Sequence, residues 1–257
     1  MNLAYVPLLG TQRKLYSIPA GMERFQAYLG ELLDDTGDDL RQPLAAMNPM
    51  GKGHVPELLD AYLEFDADSI GARATAEVAA EVAAVPGDFK ISLVMVDDAK
   101  GGWTNRYATE FEHCFGEAPL RRRGWLVGFI WTSEKPSAHA VRAEIRAVVH
   151  RAAYVSQHGP AQILREMLAQ EGTVLMRADA ARYENEIGRD ELDYTRVLLA
   201  EYLDANDPPT LMSAFFGDNA ARAFGYAPLG LSMRAGFALA LNDAKNRLAN
   251  AKPDSHL

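Results

Sequence analysis

The sequence predicts an α+β fold, mainly helical with a small sheet. Two observations carry that class. Segments with apolar residues at helical spacing dominate both ends of the chain. Between them lie two apolar runs, Phe89 to Val96 and Gly124 to Thr132, rich in branched and aromatic residues as strands are. No repeat or linker-like stretch interrupts the chain. One domain is therefore expected over 1–257, with a mainly helical part (1–87), a sheet region (88–135) and a second helical part (136–250).

The elements follow in order. Met22 to Leu33 is amphipathic, and Pro56 to Glu64 carries proline in its first turn, so both read as helices. Between them, Asn48-Pro49-Met50-Gly51-Lys52-Gly53-His54 has the chemistry of a loop. Asp68 to Val85 is an Ala-rich helix ended by Pro86-Gly87. The strand Phe89 to Val96 ends in Asp97-Asp98, and the loop Lys100 to Tyr107 follows. Asn105 to Phe111 is expected to add a third, shorter strand before Gly124 to Thr132. Ser137 caps a long helix to His158, stopped by Gly159-Pro160. Pro160 to Ala178, Asp190 to Asp204 and Leu229 to Leu248 complete the helices, with a loop around Gly217-Asp218 and a frayed tail over 251–257.

Bulk properties narrow the function. The chain is 48% hydrophobic and 24% charged, ordinary values for a globular protein. Its net charge of −9 argues against non-specific nucleic-acid binding, which needs a basic field. Arg121-Arg122-Arg123, the dense basic run, reads as a solvated edge. A single cysteine, Cys114, excludes an intrachain disulfide and a Cys-based zinc knuckle. The first ten residues lack the basic region of a signal peptide, and no apolar run approaches the ~20 residues of a membrane span. A cytoplasmic protein without a membrane partner is expected. Gly51-Lys52-Gly53-His54 lacks the upstream glycine and the Ser or Thr of a P-loop. No G-x-G-x-x-G or G-x-S-x-G stands in the chain, and His113 beside Cys114 is adjacency rather than catalytic geometry.

Glu171 is the anomaly. On the helix Pro160 to Ala178, the apolar residues Ile163, Leu164, Met167, Leu168, Val174, Leu175 and Ala178 lie within about 80° of it. A buried carboxylate must be paired, protonated or bound to a metal. On the preceding helix His150 and Tyr154 share a face opposite the stripe of Val141, Ile145, Val148, Ala152 and Val155. His150, Arg146 and Arg142 are the candidate ion-pair partners. His158 is placed to favour the helix dipole.

A strand, a helix bearing His150 and a second helix bearing Glu171 before Gly172 resemble the gluzincin class of zinc metallopeptidases. Phe215-Phe216-Gly217-Asp218 and Gly225-Tyr226-Ala227-Pro228-Leu229-Gly230 are similar to the C-terminal part of some predicted zinc-dependent proteases. The resemblance covers roughly Gly124 to Ala240. It implies a zincin-like fold and a zinc site at His150 and Glu171 with Tyr154 or His158. Tyr226 suits an oxyanion stabiliser over such a metal, but more simply reads as a core Tyr with a bonded hydroxyl. The family's H-E-x-x-H is degenerate here: Arg151 replaces the general base and Tyr154 the second His. Arginine stays protonated and cannot take the proton of a zinc-bound water. The resemblance therefore implies a divergent protein without standard protease activity. The alternative is a non-enzymatic protein that binds a ligand or partner and uses Glu171 structurally.

Three further places suit ligands, each with a plainer reading. Trp103, Asn105 and Arg106 combine stacking, amide and guanidinium groups, as a loop binding a small molecule or peptide does; a packed Trp beside a Gly-Gly turn explains them too. Asp97-Asp98 suits a cation or a substrate, or simply opens a turn. The amides around Gly51-Lys52-Gly53-His54 suit an anion.

Overall fold

The computed structural model describes residues 1–100, 103–116, 119–180 and 187–251. The tail expected over 251–257 lies almost wholly outside them, as do Gly101 and Gly102. The described residues form a mainly helical chain with a small sheet, as the sequence predicts. They divide into two compact units, Met1–Thr109 with Glu117–Ala152, and Glu110–Gly116 with Ala153–Leu257.

The first unit is built on a three-stranded parallel sheet of order β1-β2-β3: β1 Asn2–Tyr5, β2 Asp88–Val96 and β3 Trp125–Trp131. A parallel strand with neighbours on both sides and helices on its faces is buried throughout, which explains the unbroken apolar run Ile91 to Val96 apart from Ser92. Parallel strands need long crossovers. The first contains α1 Leu9–Leu15, α2 Met22–Leu32, α3 His54–Glu64 and α4 Ala67–Glu81. The second contains the start of α5 Arg106–Phe115, and α6 Pro119–Arg122. α7, Ala138–His158, follows β3, and its Glu144 accepts a hydrogen bond from the Phe129 amide at 3.0 Å.

Several elements depart from expectation: helices also form over Pro208–Phe216 and Asp218–Ala223, and the last helix starts at Ala235 rather than Leu229. Asn105 to Phe111 is not a strand. The Asn105 side chain accepts from the Ala108 amide at 3.1 Å and so starts α5, whose buried positions Glu110 and Cys114 are one helical turn apart. At the other end of the chain, β1 and α1 had no sequence signal: four residues are too few to show a period.

Gln12 explains how so short a β1 suffices. Pairing between β1 and β2 reaches Ile91, whose carbonyl takes the Val6 amide at 2.8 Å. Beyond it the fully buried Gln12 side chain stands in for a strand. Its amide donates to the Leu93 carbonyl at 3.2 Å, and its oxygen accepts from the Met95 amide at 2.9 Å. Gln12→Leu leaves two buried backbone groups unpaired and is expected to lower stability by about 2–4 kcal/mol. Urea unfolding checks this; a loss under about 1 kcal/mol would refute the strand-substitute role.

In the second unit α8 (Leu164–Ala178) packs on α12 (Ala235–Ala251). The contact is close at Gly172, where a Cβ would come within 2.4 Å of the Ala240 carbonyl oxygen. α12 also packs on α9 (Arg189–Leu199), which ends in the 3-10 turn Ala200–Tyr202, and on α10 (Pro208–Phe216). Phe215 lies between Phe115 and Phe237, with ring centroids 4.8 and 4.9 Å away. α11 is Asp218–Ala223.

Candidate functional site

In open parallel sheets, ligands bind beyond the carboxyl ends of the strands. Here β2 runs out into Asp97-Asp98 and β3 into Thr132-Ser133, side by side because the Thr132 amide still bonds the Val96 carbonyl at 3.1 Å. The crossover between β1 and β2 brings Asn48 and His54 to the same edge. Asp97, His54, Asn48 and Thr132 are all buried, with 3–8% of their surface exposed, which for a cluster this polar requires mutual hydrogen bonding.

Asp97 is the hub. His54 Nε2 lies 2.8 Å from Oδ1, the Thr132 hydroxyl donates to Oδ1 at 3.0 Å, and Asn48 Nδ2 donates to Oδ2 at 2.7 Å. Burial by itself raises the Asp97 carboxyl, but the donors from His54, Asn48 and Thr132 outweigh it and hold it below the usual carboxylate range. Asp97 is therefore an ionised, acceptor-only group. That settles the tautomer of His54. The proton sits on Nε2, and in the neutral ring Nδ1 carries a bare lone pair. Nδ1 is buried and meets no hydrogen-bond partner among the described residues.

Further hydrogen bonds hold this edge in place. The amides of Asp98 and Ala99 donate to the Thr132 hydroxyl oxygen at 3.1 and 3.2 Å. Ser133 gives its amide and hydroxyl to Asp98 at 3.0 and 2.7 Å. Arg106 bonds the Ser133 hydroxyl at 2.8 Å, pairs with Glu134, and lies over the Trp131 ring at 4.9 Å. The Tyr16 hydroxyl donates to the Asn48 carbonyl, and burial, then the Asp97 charge, pushes that phenol up, so it remains a donor.

The residues singled out from sequence are distributed as follows. Arg106 stands in this cluster. Asn105 caps α5, and Trp103 is largely exposed, with 61% of its surface open. His150, in the first unit, is buried with Nε2 3.2 Å from a Glu81 carboxylate oxygen. Arg146 bonds that same carboxylate, and Arg142 pairs with Glu77. In the second unit, Glu171 is fully buried, and Gln170 donates to it at 3.2 Å. Tyr154 rests against the His158 ring at 4.4 Å, and Tyr226 stacks on Phe224 at 5.8 Å.

Of the residues that the metallopeptidase resemblance singles out, His150 is engaged by Glu81 and Glu171 by Gln170. Burial pushes the Tyr154 phenol up. Arg151 replaces the base. Among the described residues, no group of three or more His, Cys, Asp or Glu is gathered to hold a metal ion. Chelator treatment is accordingly expected to leave the melting temperature unchanged; a temperature lowered by EDTA and restored by zinc would reverse that assignment. Two features of the resemblance have packing explanations. Gly172 allows α8 to approach α12. Gly217, at φ +79°, turns so tightly that a Cβ would sit 2.3 Å from the Ser232 carbonyl oxygen, while Asp218 accepts the amides of Leu229, Gly230 and Leu231 at 2.9–3.1 Å.

The sequence drew attention to His54, Asp97, Asp98 and Arg106 separately, and missed Asn48, Thr132, Ser133 and Glu134 as site residues. The available signal was polar residues directly after apolar strands of a parallel sheet. No family model, curated protein or solved structure matches the chain. No described helix is long and apolar enough to cross a membrane.

Proposed function

We propose that this chain binds a small polar molecule at the carboxyl edge of its parallel sheet, with His54 as the proton-handling group. One observation carries the reading: the buried, unpartnered Nδ1 of a histidine whose other nitrogen is held by an ionised, buried aspartate. In a ring arranged this way Nδ1 is the open acceptor for a proton while Asp97 holds Nε2–H. Asn48 and Thr132 aim the aspartate, and Arg106 with Asp98 and Ser133 supports the strand ends. The chemistry is binding coupled to proton transfer at one nitrogen. No step runs through a metal. In this reading Glu171 is a structural residue of the second unit.

The test uses the full chain, labelled for NMR at histidine, against separate pools of phosphorylated, carboxylic and neutral polar metabolites. At least one pool is expected to shift the His54 ring signals saturably, and the His54→Gln protein is expected to lose binding of that pool about tenfold or more. If no pool moves the His54 ring, or if binding is unchanged in the variant, the reading fails.

A further inference from the structure

The backbone next to His54 says which kind of molecule the site takes. α3 begins at His54 after the loop Asn48 to Gly53, and no side chain caps it. The amides of Val55 and Glu57 are used within the turn, on the Lys52 and Gly53 carbonyls. Those of Lys52, Gly53 and His54 have no acceptor among the described residues. Three consecutive free amides stand at the start of an 11-residue helix, at the positive end of its dipole. A bare helix start is common, because water satisfies it. What separates this one is His54. Its side chain is more than nine-tenths buried, and Nδ1, the ring nitrogen bonded to Cγ and so nearer its own backbone, has no partner there.

The loop is also held in shape before any ligand arrives. Asn48 accepts the Met50 amide on its side chain at 2.9 Å and the Gly51 amide on its carbonyl at 3.2 Å, and that carbonyl also takes the Tyr16 hydroxyl. The Pro49 carbonyl takes Arg24 at 3.5 Å. Lys52 is exposed, and its ammonium reaches the Lys100 carbonyl at 3.4 Å, so a cation borders the amides. Asp97, the nearby buried anion, is engaged by three donors and opposed by the imidazolium when His54 is charged. Three amides, an ammonium and an imidazolium N–H outnumber what the two oxygens of a carboxylate need. They suit an oxyanion with three or four oxygens.

We infer that the amides of Lys52, Gly53 and His54, with His54 Nδ1, form a phosphate-binding site, so that the ligand of the sheet edge carries a phosphoryl group or is inorganic phosphate itself. The inference rests on the reading of His54 given above and adds the ligand class. Glu57 tests it from the opposite side. Its carboxylate lies 3.8 Å from where a Cβ on Gly53 would stand, so a bound dianion meets its repulsion.

The experiment titrates the full chain with inorganic phosphate, and in parallel with a phosphomonoester (phenyl phosphate), following backbone amide signals by NMR. Saturable shifts at Lys52, Gly53 and His54 are expected with at least one of the two. Tighter binding of inorganic phosphate marks the free ion as ligand; tighter binding of the ester marks a phosphorylated metabolite. Gly53 has φ −52°, which proline adopts, and room for a methyl group. Gly53→Pro removes one amide and is expected to weaken binding about tenfold, whereas Gly53→Ala keeps the amide and stays within about twofold. Glu57→Gln is expected to tighten binding several-fold. Melting temperatures of all three variants verify that they fold. Absence of saturable shifts, or equal affinity of the Pro and Ala variants, overturns the phosphate site. If a non-phosphorylated pool moves His54 instead, this inference fails while the proton-handling reading stands.

Discussion

Replacing Glu110 by Ala is expected to lower stability by about 3–5 kcal/mol, among the largest effects of any single change in the second unit. Glu110 on α5 and Arg234, just before α12, meet in a two-pronged ion pair at 2.7 and 2.8 Å. Both are buried, with 7% and 9% of their side chains exposed. Removing the carboxylate takes two charge-assisted hydrogen bonds from a buried guanidinium. Arg234 also sits at φ +62°, where a side chain with a Cβ is strained, so the pair holds a backbone conformation as well as two charges. The double variant Glu110→Leu with Arg234→Met removes both charges and is expected to recover most of the loss. Equilibrium urea unfolding of the three proteins measures this. A Glu110→Ala loss below about 1 kcal/mol would show that the pair is not the constraint described here.

Asp97→Ala is the second large effect, expected at about 3 kcal/mol near pH 7, because it leaves the His54 Nε2 and Asn48 Nδ2 donors unpaired in the interior. Its pH dependence distinguishes it from a simple cavity. In the folded chain the Asp97 carboxyl lies below its ordinary range, since the three donors outweigh burial. The unfolded chain therefore takes up the Asp97 proton first as pH falls. The stabilisation is complete above the unfolded value of about 3.9, and is lost as pH falls through the folded value. The stability gap between the parent and Asp97→Ala should narrow steadily as the pH is lowered below about 4. A gap that stays constant from pH 7 to pH 3 would contradict the linkage.

Asp97 also shows how far the sequence could be read. The apolar run before it announced a buried strand, and its place at that strand's end was visible. His54 was visible too, after a glycine-rich loop. That the two touch was not visible, because they are 43 residues apart and their meeting depends on strand order. Glu110 and Arg234, 124 residues apart, are a more extreme instance; nothing local to either marks it as half of a pair. β1 escaped detection for a different reason. Its burial pattern alternates over only four residues, and its pairing is completed by a glutamine side chain from a helix.

By itself the sequence determined the class and most of the helices, because a buried helix face must repeat about every 3.6 residues and a buried strand must be apolar throughout. It also determined that Glu171 faces inward, as its zero exposure bears out. Only the tertiary structure decided which polar side chains meet. The parallel order β1-β2-β3 sets the ends of β2 and β3 beside each other, and the crossover from β1 carries His54 to them. Periodicity reports how deep a residue lies, whereas the partner of a buried polar group is set by strand order and register, which no local pattern encodes.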